Sequence, residues 1–104
     1  MSETLEQARQ FFQDGLAHSE AGRLEQAERS FAAALSLAPG RPSVLTNLGT
    51  TLVRRGRWSD ALVLLEEATA AEPGNLQAWS YLAVAHAELG QSRPALRAFG
   101  RALE

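Results

Sequence analysis

Residues Pro42–Asn75 read PSVLTNLGTTLVRRGRWSDALVLLEEATAAEPGN, and the pattern recurs on either side of them at a spacing of 34 residues. A shift of 34 superimposes Gly22, Gly56 and Gly90, then Ala27, Ala61 and Ala95, then Phe31, Leu65 and Phe99, then Ala34, Ala68 and Ala102. The same shift pairs Pro39-Gly40 with Pro73-Gly74, and Gly15 with Gly49 and Ala83. Self-similarity at a fixed period of this length marks an array of small units, each burying its apolar face by stacking on a neighbour.

Each unit reads as two helices. Gly22, Gly56 and Gly90 close apolar-periodic stretches and suit the left-handed residue that ends a helix. Pro39-Gly40 and Pro73-Gly74 punctuate the turns between units, because proline has no N–H with which to continue a helix. Pro42 fits the first turn of a third helix, Asn75 can cap a fifth, and Ser92 with Pro94 can open a sixth. The spacing predicts helices over 5–20, 24–37, 43–55, 59–71, 76–88 and 92–104, in one domain, 1–104, with units at about 8–41, 42–75 and 76–104, the last truncated.

Composition narrows the function. The 104 residues are 45% hydrophobic and 21% charged, as in globular chains. Alanine (19) and leucine (16) together favour helix. Ten basic residues, all arginine, against twelve acidic ones give a net charge of -2, so nothing draws the chain to nucleic acid or an anionic membrane. There is no cysteine, hence no disulfide, thiolate nucleophile or Cys-ligated zinc. Met1-Ser2-Glu3-Thr4-Leu5-Glu6 lacks the basic and apolar regions of a signal peptide, and the expected location is cytoplasmic.

Catalytic groups are scarce. His18 and His86 hold the same place two units apart, too far to share a metal ion, and no metal or cofactor is expected. Asp14 and His18, four apart, can pair on one helical face, but no nucleophile or oxyanion donor converges on them. The eight glycines form no phosphate-binding loop. Arg54, Arg55 and Arg57 make the densest basic cluster, able to receive a carboxylate or phosphate, although arginines at a helix end also answer its macrodipole.

These residues resemble the tetratricopeptide repeat. The family pattern W-x2-L-G-x2-Y, A-x3-F, P is met by Trp79, Leu82, Ala83, His86, Ala95 and Phe99 in the third unit. It is met by Leu45, Leu48, Gly49, Leu52, Ala61, Leu65 and Pro73 in the second, and by Phe11, Asp14, Gly15, His18, Ala27, Phe31 and Pro39 in the first. Only Asp14 is out of character, at a helix with no preceding unit to pack on. The resemblance implies an all-α, right-handed α-solenoid of three helix–turn–helix repeats. It also implies a non-catalytic module, not an enzyme, that takes a peptide or helix of a partner protein in a concave groove lined by the first helix of each unit.

The groove so implied is lined by Arg9, Phe12, Gln13 and Leu16, by Ser43, Thr46, Asn47, Thr50 and Arg54, and by Gln77, Tyr81, Val84 and Glu88. Asn47 and Gln77 can bond an extended backbone, Phe12 and Tyr81 can pack on apolar side chains, and Arg54 can take an acidic group. Family members that bind chaperone tails clamp a terminal carboxylate with Lys, Asn, Asn, Lys and Arg; here those places hold Phe12, Leu16, Asn47, Gln77 and Tyr81, and only Asn47 matches.

A second surface comes from the last unit. The final helix stops three residues short of the place, 107, where the period would put the family's proline, and no polar capping helix follows. Leu82, Leu89, Leu96, Phe99 and Leu103 are therefore expected on an open end face, to be covered by a further repeat or by a homodimer through the C-terminal repeat. Two alternatives to groove binding follow: a self-association element, and a regulatory N-terminal domain of a larger bacterial enzyme such as a transferase.

Overall fold

The computed structural model describes residues 2–104, which run as six helices: α1 (Ser2–Glu20), α2 (Leu24–Leu37), α3 (Pro42–Arg54), α4 (Trp58–Ala71), α5 (Leu76–Glu88) and α6 (Ser92–Ala102). No strand occurs among the described residues. The fold is the expected α-solenoid of three helix pairs, with most boundaries within one residue of those the spacing predicts. The exceptions are the ends: α1 begins at Ser2 rather than residue 5, and α6 stops at Ala102 rather than 104.

The turn inside each unit is the same motif three times. Gly22, Gly56 and Gly90 have φ of 78°, 76° and 77°, which only glycine adopts without strain. The residue after each glycine donates its N–H back across the turn: Arg23 to His18, Arg57 to Leu52 and Gln91 to His86, all at 2.8 Å. This closes the preceding helix by satisfying a carbonyl that would otherwise be orphaned. It also makes Arg23, Arg57 and Gln91 the N-cap residues of α2, α4 and α6, and none of the three supplies a side-chain cap.

The turns between units are not alike. Gly40 is left-handed at φ 78°, whereas Gly74 is not, and the helices that follow start differently. Pro42 opens α3 from its first turn. Asn75 caps α5 through Oδ1, which accepts the Ala78 N–H at 3.1 Å.

Successive helices pack on one another and α3 also rests on α5, giving a body of 43 × 25 × 19 Å. The core runs through all three units: Phe31 from the first, Leu45, Leu52 and Leu65 from the second, Leu82 and Ala83 from the third. Phe31, Leu45 and Leu65 are fully buried, each worth about 1.5–3 kcal/mol over exposure. The middle unit is thus covered on both sides, and α3 is buried along most of its length.

Candidate functional site

Helix periodicity puts Arg9, Phe12, Gln13 and Leu16 on one face of α1, and the stripe Ser43, Thr46, Asn47, Thr50 and Arg54 on one face of α3. Where α1 meets the start of α3, these faces enclose a cleft of about 180 Å³ lined by Leu5, Ala8, Arg9, Phe12, Ala38, Arg41, Ser43 and Val44. Three of the residues expected in the groove, Arg9, Phe12 and Ser43, therefore share one concavity. Phe12 is anchored there by Phe31, with ring centroids 5.7 Å apart and tilted by 53°. Arg41 joins them from the turn before α3. Its one sequence signal is the position after Pro39-Gly40, and periodicity along a helix says nothing about a turn residue.

Other members of the expected face are less available. Thr46 is buried, and its Oγ1 accepts from Asn75 Nδ2 at 3.0 Å, so it ties α3 to the following turn instead of lining an open surface. Thr50 is also buried, and its hydroxyl has no partner. Asn47 spends an amide hydrogen on the Ser43 carbonyl at 2.8 Å. Arg54 donates to Ser19 Oγ at 3.0 Å, bridging α3 to α1. Leu16 and Tyr81 are half-buried against the core, while Gln13, Gln77, Val84 and Glu88 are exposed.

The basic cluster is occupied from within the chain. Glu28 of α2 bonds Arg55 Nη1 through one carboxylate oxygen and Arg57 Nη1 through the other at 3.2 Å, and Arg57 Nη2 reaches Asp60 at 2.7 Å. The carboxylate these arginines receive is one from the neighbouring unit, so they present no open anion site.

The two histidines share a local role. His18 Nδ1 accepts from Arg23 Nε at 2.9 Å, and His86 Nδ1 lies 2.7 Å from Gln91 Oε1, each linking a first helix to the residue beyond its closing glycine. Asp14 accepts from Gln10 Nε2 at 2.9 Å and makes no hydrogen bond with His18, so the Asp14–His18 pair does not form. Among the described residues no three His, Asp or Glu side chains gather to hold a metal ion, and no helix is long and apolar enough to cross a membrane.

At the other end, Leu96 (70% exposed) and Phe99 (41%) of α6, with Leu103 (85%) just past its end, make an exposed apolar patch. Leu82, expected on that patch, is a core residue instead, because α5 turns its Leu82 face inward against α4 and α6. Leu89 is only half-buried. On α5, Trp79 donates Nε1–H to the Pro73 carbonyl at 2.8 Å and is covered by the Arg101 guanidinium 4.7 Å from its ring centre.

A family model described as tetratricopeptide repeat matches residues 18–70 and again 52–104. The chain is 34% identical over 89 residues to the Hsp70-Hsp90 organizing protein of Triticum aestivum, a match covering 86% of this chain and 15% of that protein. It therefore spans a small part of that relative's length. The Arabidopsis OM64 TPR domain superimposes with a TM-score of 0.92 at 18% identity, covering 96% of this chain and 83% of that one. The first TPR of Spaghetti (RPAP3), solved bound to an HSP90 peptide, does so with a TM-score of 0.88 at 19% identity, covering 94% and 78%. At those identities the two structures establish the shared fold.

Proposed function

Because the chain belongs to the tetratricopeptide repeat family, we propose that it is a non-catalytic interaction module that takes an extended segment of a partner protein along the face of α1, α3 and α5. The observation that supports this most directly is the cleft between α1 and α3. It is built by residues from two units, joins apolar to polar and charged side chains, and includes Arg9, Phe12 and Ser43 of the proposed binding face. The RPAP3 domain's HSP90 peptide supports the class of partner. It does not carry over the same ligand chemistry: four of the five clamp places here hold Phe12, Leu16, Gln77 and Tyr81, and the fifth, Asn47, already bonds Ser43.

The test is nuclear magnetic resonance mapping of the chain against a library of short, unstructured peptides. Binders should move the amide signals of Arg9, Phe12, Asn47 and Tyr81, and a Phe12→Ala, Tyr81→Ala double variant should lose them. Shifts confined to α2, α4 and α6 would overturn the reading.

A second reading rests on the α6 patch: self-association through Leu96, Phe99 and Leu103. Three large apolar side chains exposed on α6 and at its C-cap favour it. Light scattering over about a hundredfold range of concentration separates the two. A mass that doubles, and returns to that of one chain on Leu96→Glu or Phe99→Glu, would support self-association. A constant monomer mass would remove it.

A further inference from the structure

Arginine is the chain's entire basic complement, and most of it is engaged. Arg29, Arg55, Arg57 and Arg101 sit in ion pairs, Arg23 donates to His18 and Arg54 to Ser19. Among the described residues Arg9, Arg41, Arg93 and Arg97 make no side-chain hydrogen bond or ion pair. Two of these four, Arg9 and Arg41, line the same cleft. Arg9 lies on α1 and Arg41 in the turn that follows α2, so the return of the chain past α1 brings both to one cleft, whose far wall, Ser43 and Val44, comes from α3. Glu6 lies one turn before Arg9 on α1 yet forms no ion pair with it, and Arg9 and Arg41 are both exposed residues of the cleft's lining.

Two like charges beside one concavity, in a chain of net charge -2, complement an anion from outside. The guanidinium fork is shaped for a carboxylate, which it can hold by two parallel hydrogen bonds. The same lining includes apolar Leu5, Phe12 and Val44. About 180 Å³ is too little for a drug-sized ligand, whose sites run to about 300–1,000 Å³, and suits a single side chain.

We propose that this cleft sets the specificity of the groove: it seats one apolar side chain of the partner segment against Leu5, Phe12 and Val44 while Arg9 and Arg41 take the side-chain carboxylate of an Asp or Glu beside it. The inference rests on the α1–α3–α5 face being the binding surface. An acidic side chain is favoured over a terminal carboxylate because the cations are exposed, within reach of a side chain from a segment running past them. The middle of the face, at Leu16, Gln77 and Tyr81, offers no cation to a chain end.

The test uses pools of short peptides, acetylated and amidated so that no terminal charge remains, in which Leu, Ile, Met or Phe stands beside either Glu or Gln. The chain should bind the Glu pools about tenfold or more tightly than the Gln pools, the size expected of a charge-assisted pair. Arg9→Gln and Arg41→Gln should each erase that difference with the melting temperature unchanged, since both side chains are exposed. Arg93→Gln, an equally unpaired arginine outside the cleft, should preserve it. Equal binding of Glu and Gln pools, or an equal effect of Arg93→Gln, would overturn the proposal and leave the groove reading standing. Tighter binding of peptides with a free terminus and no acidic side chain would overturn it in favour of a terminal clamp. If no pool perturbs α1, α3 or α5, the groove reading falls and the proposal with it.

Discussion

The ring of Phe31 lies directly over the Cα of Gly15, so close that a Cβ on Gly15 would stand 2.6 Å from two of its carbons. Leu65 covers Gly49 in the same way, with a Cβ there 2.7 Å from the leucine. The contact that makes each helix pair tight is thus between the glycine of its first helix and the large apolar residue of its second. In the third unit the same places hold Ala83, which is buried, and Phe99, which is 41% exposed.

Gly49→Ala is accordingly expected to destabilise the chain. Replacing glycine inside a helix gains about 1 kcal/mol of propensity, but overpacking against buried Leu65 costs about 1–3 kcal/mol, and the net should be a loss. Thermal unfolding of Gly49→Ala, alone and with Leu65→Ala, checks this. The second substitution should cost less in the presence of the first than alone, because the clash is then relieved.

Gly90 and Gly100 make a pair of opposite sign. Neither would bring a Cβ within 4 Å of a neighbour, but Gly90 sits at φ 77° in the turn before α6, whereas Gly100 lies in α6 with no positive φ. Gly90→Ala should cost about 1–2 kcal/mol through the left-handed backbone alone. Gly100→Ala should raise stability by about 0.5–1 kcal/mol. Two melting curves decide both.

Asn75 holds two units at once. Its Oδ1 caps α5, while its Nδ2 donates to Thr46 at 3.0 Å and to Glu72 at 3.3 Å. Asn75→Ala should lose about 1–2 kcal/mol in chemical denaturation. Asn75→Asp keeps the capping oxygen and loses the donor, and is expected to fall between the two.

Glu28 joins the first unit to the second through Arg55 and Arg57, with all three side chains partly shielded. Glu28→Gln should cost about 0.5–1 kcal/mol, the scale of a networked surface pair. The difference from the parent chain should shrink as salt is raised, because screening weakens the pair it removes.

The hydroxyl of Thr50 is buried with no partner. An unsatisfied buried hydroxyl costs about 1–3 kcal/mol, so Thr50→Val, which keeps the shape, should leave stability unchanged or raise it. A clear loss on denaturation would show that the hydroxyl is bonded in solution, the Thr46 carbonyl one turn back being the candidate.

The amino-acid sequence by itself determined the period, the number of helices and nearly every boundary, because those depend on local chemistry. Gly22, Gly56 and Gly90 stop helices through their own backbone freedom, and Pro42 and Asn75 start them through one ring and one side-chain oxygen. The family resemblance that period supports put Arg9, Phe12 and Ser43 among the groove residues, and all three line the cleft. It could not tell which residues of the groove stay accessible. Thr46 is sealed by Asn75, 29 positions away, and Arg55 and Arg57 are taken by Glu28, 27 and 29 positions away. Arg41 shares a cleft with Arg9, 32 positions away, that only the packing of α1, the turn after α2 and α3 creates, and Leu82 points inward because of how α5 sits on α4 and α6. Each of these outcomes depends on the rotation of one unit against the next. That rotation is set by side-chain packing between residues far apart in the chain, and no local pattern encodes it.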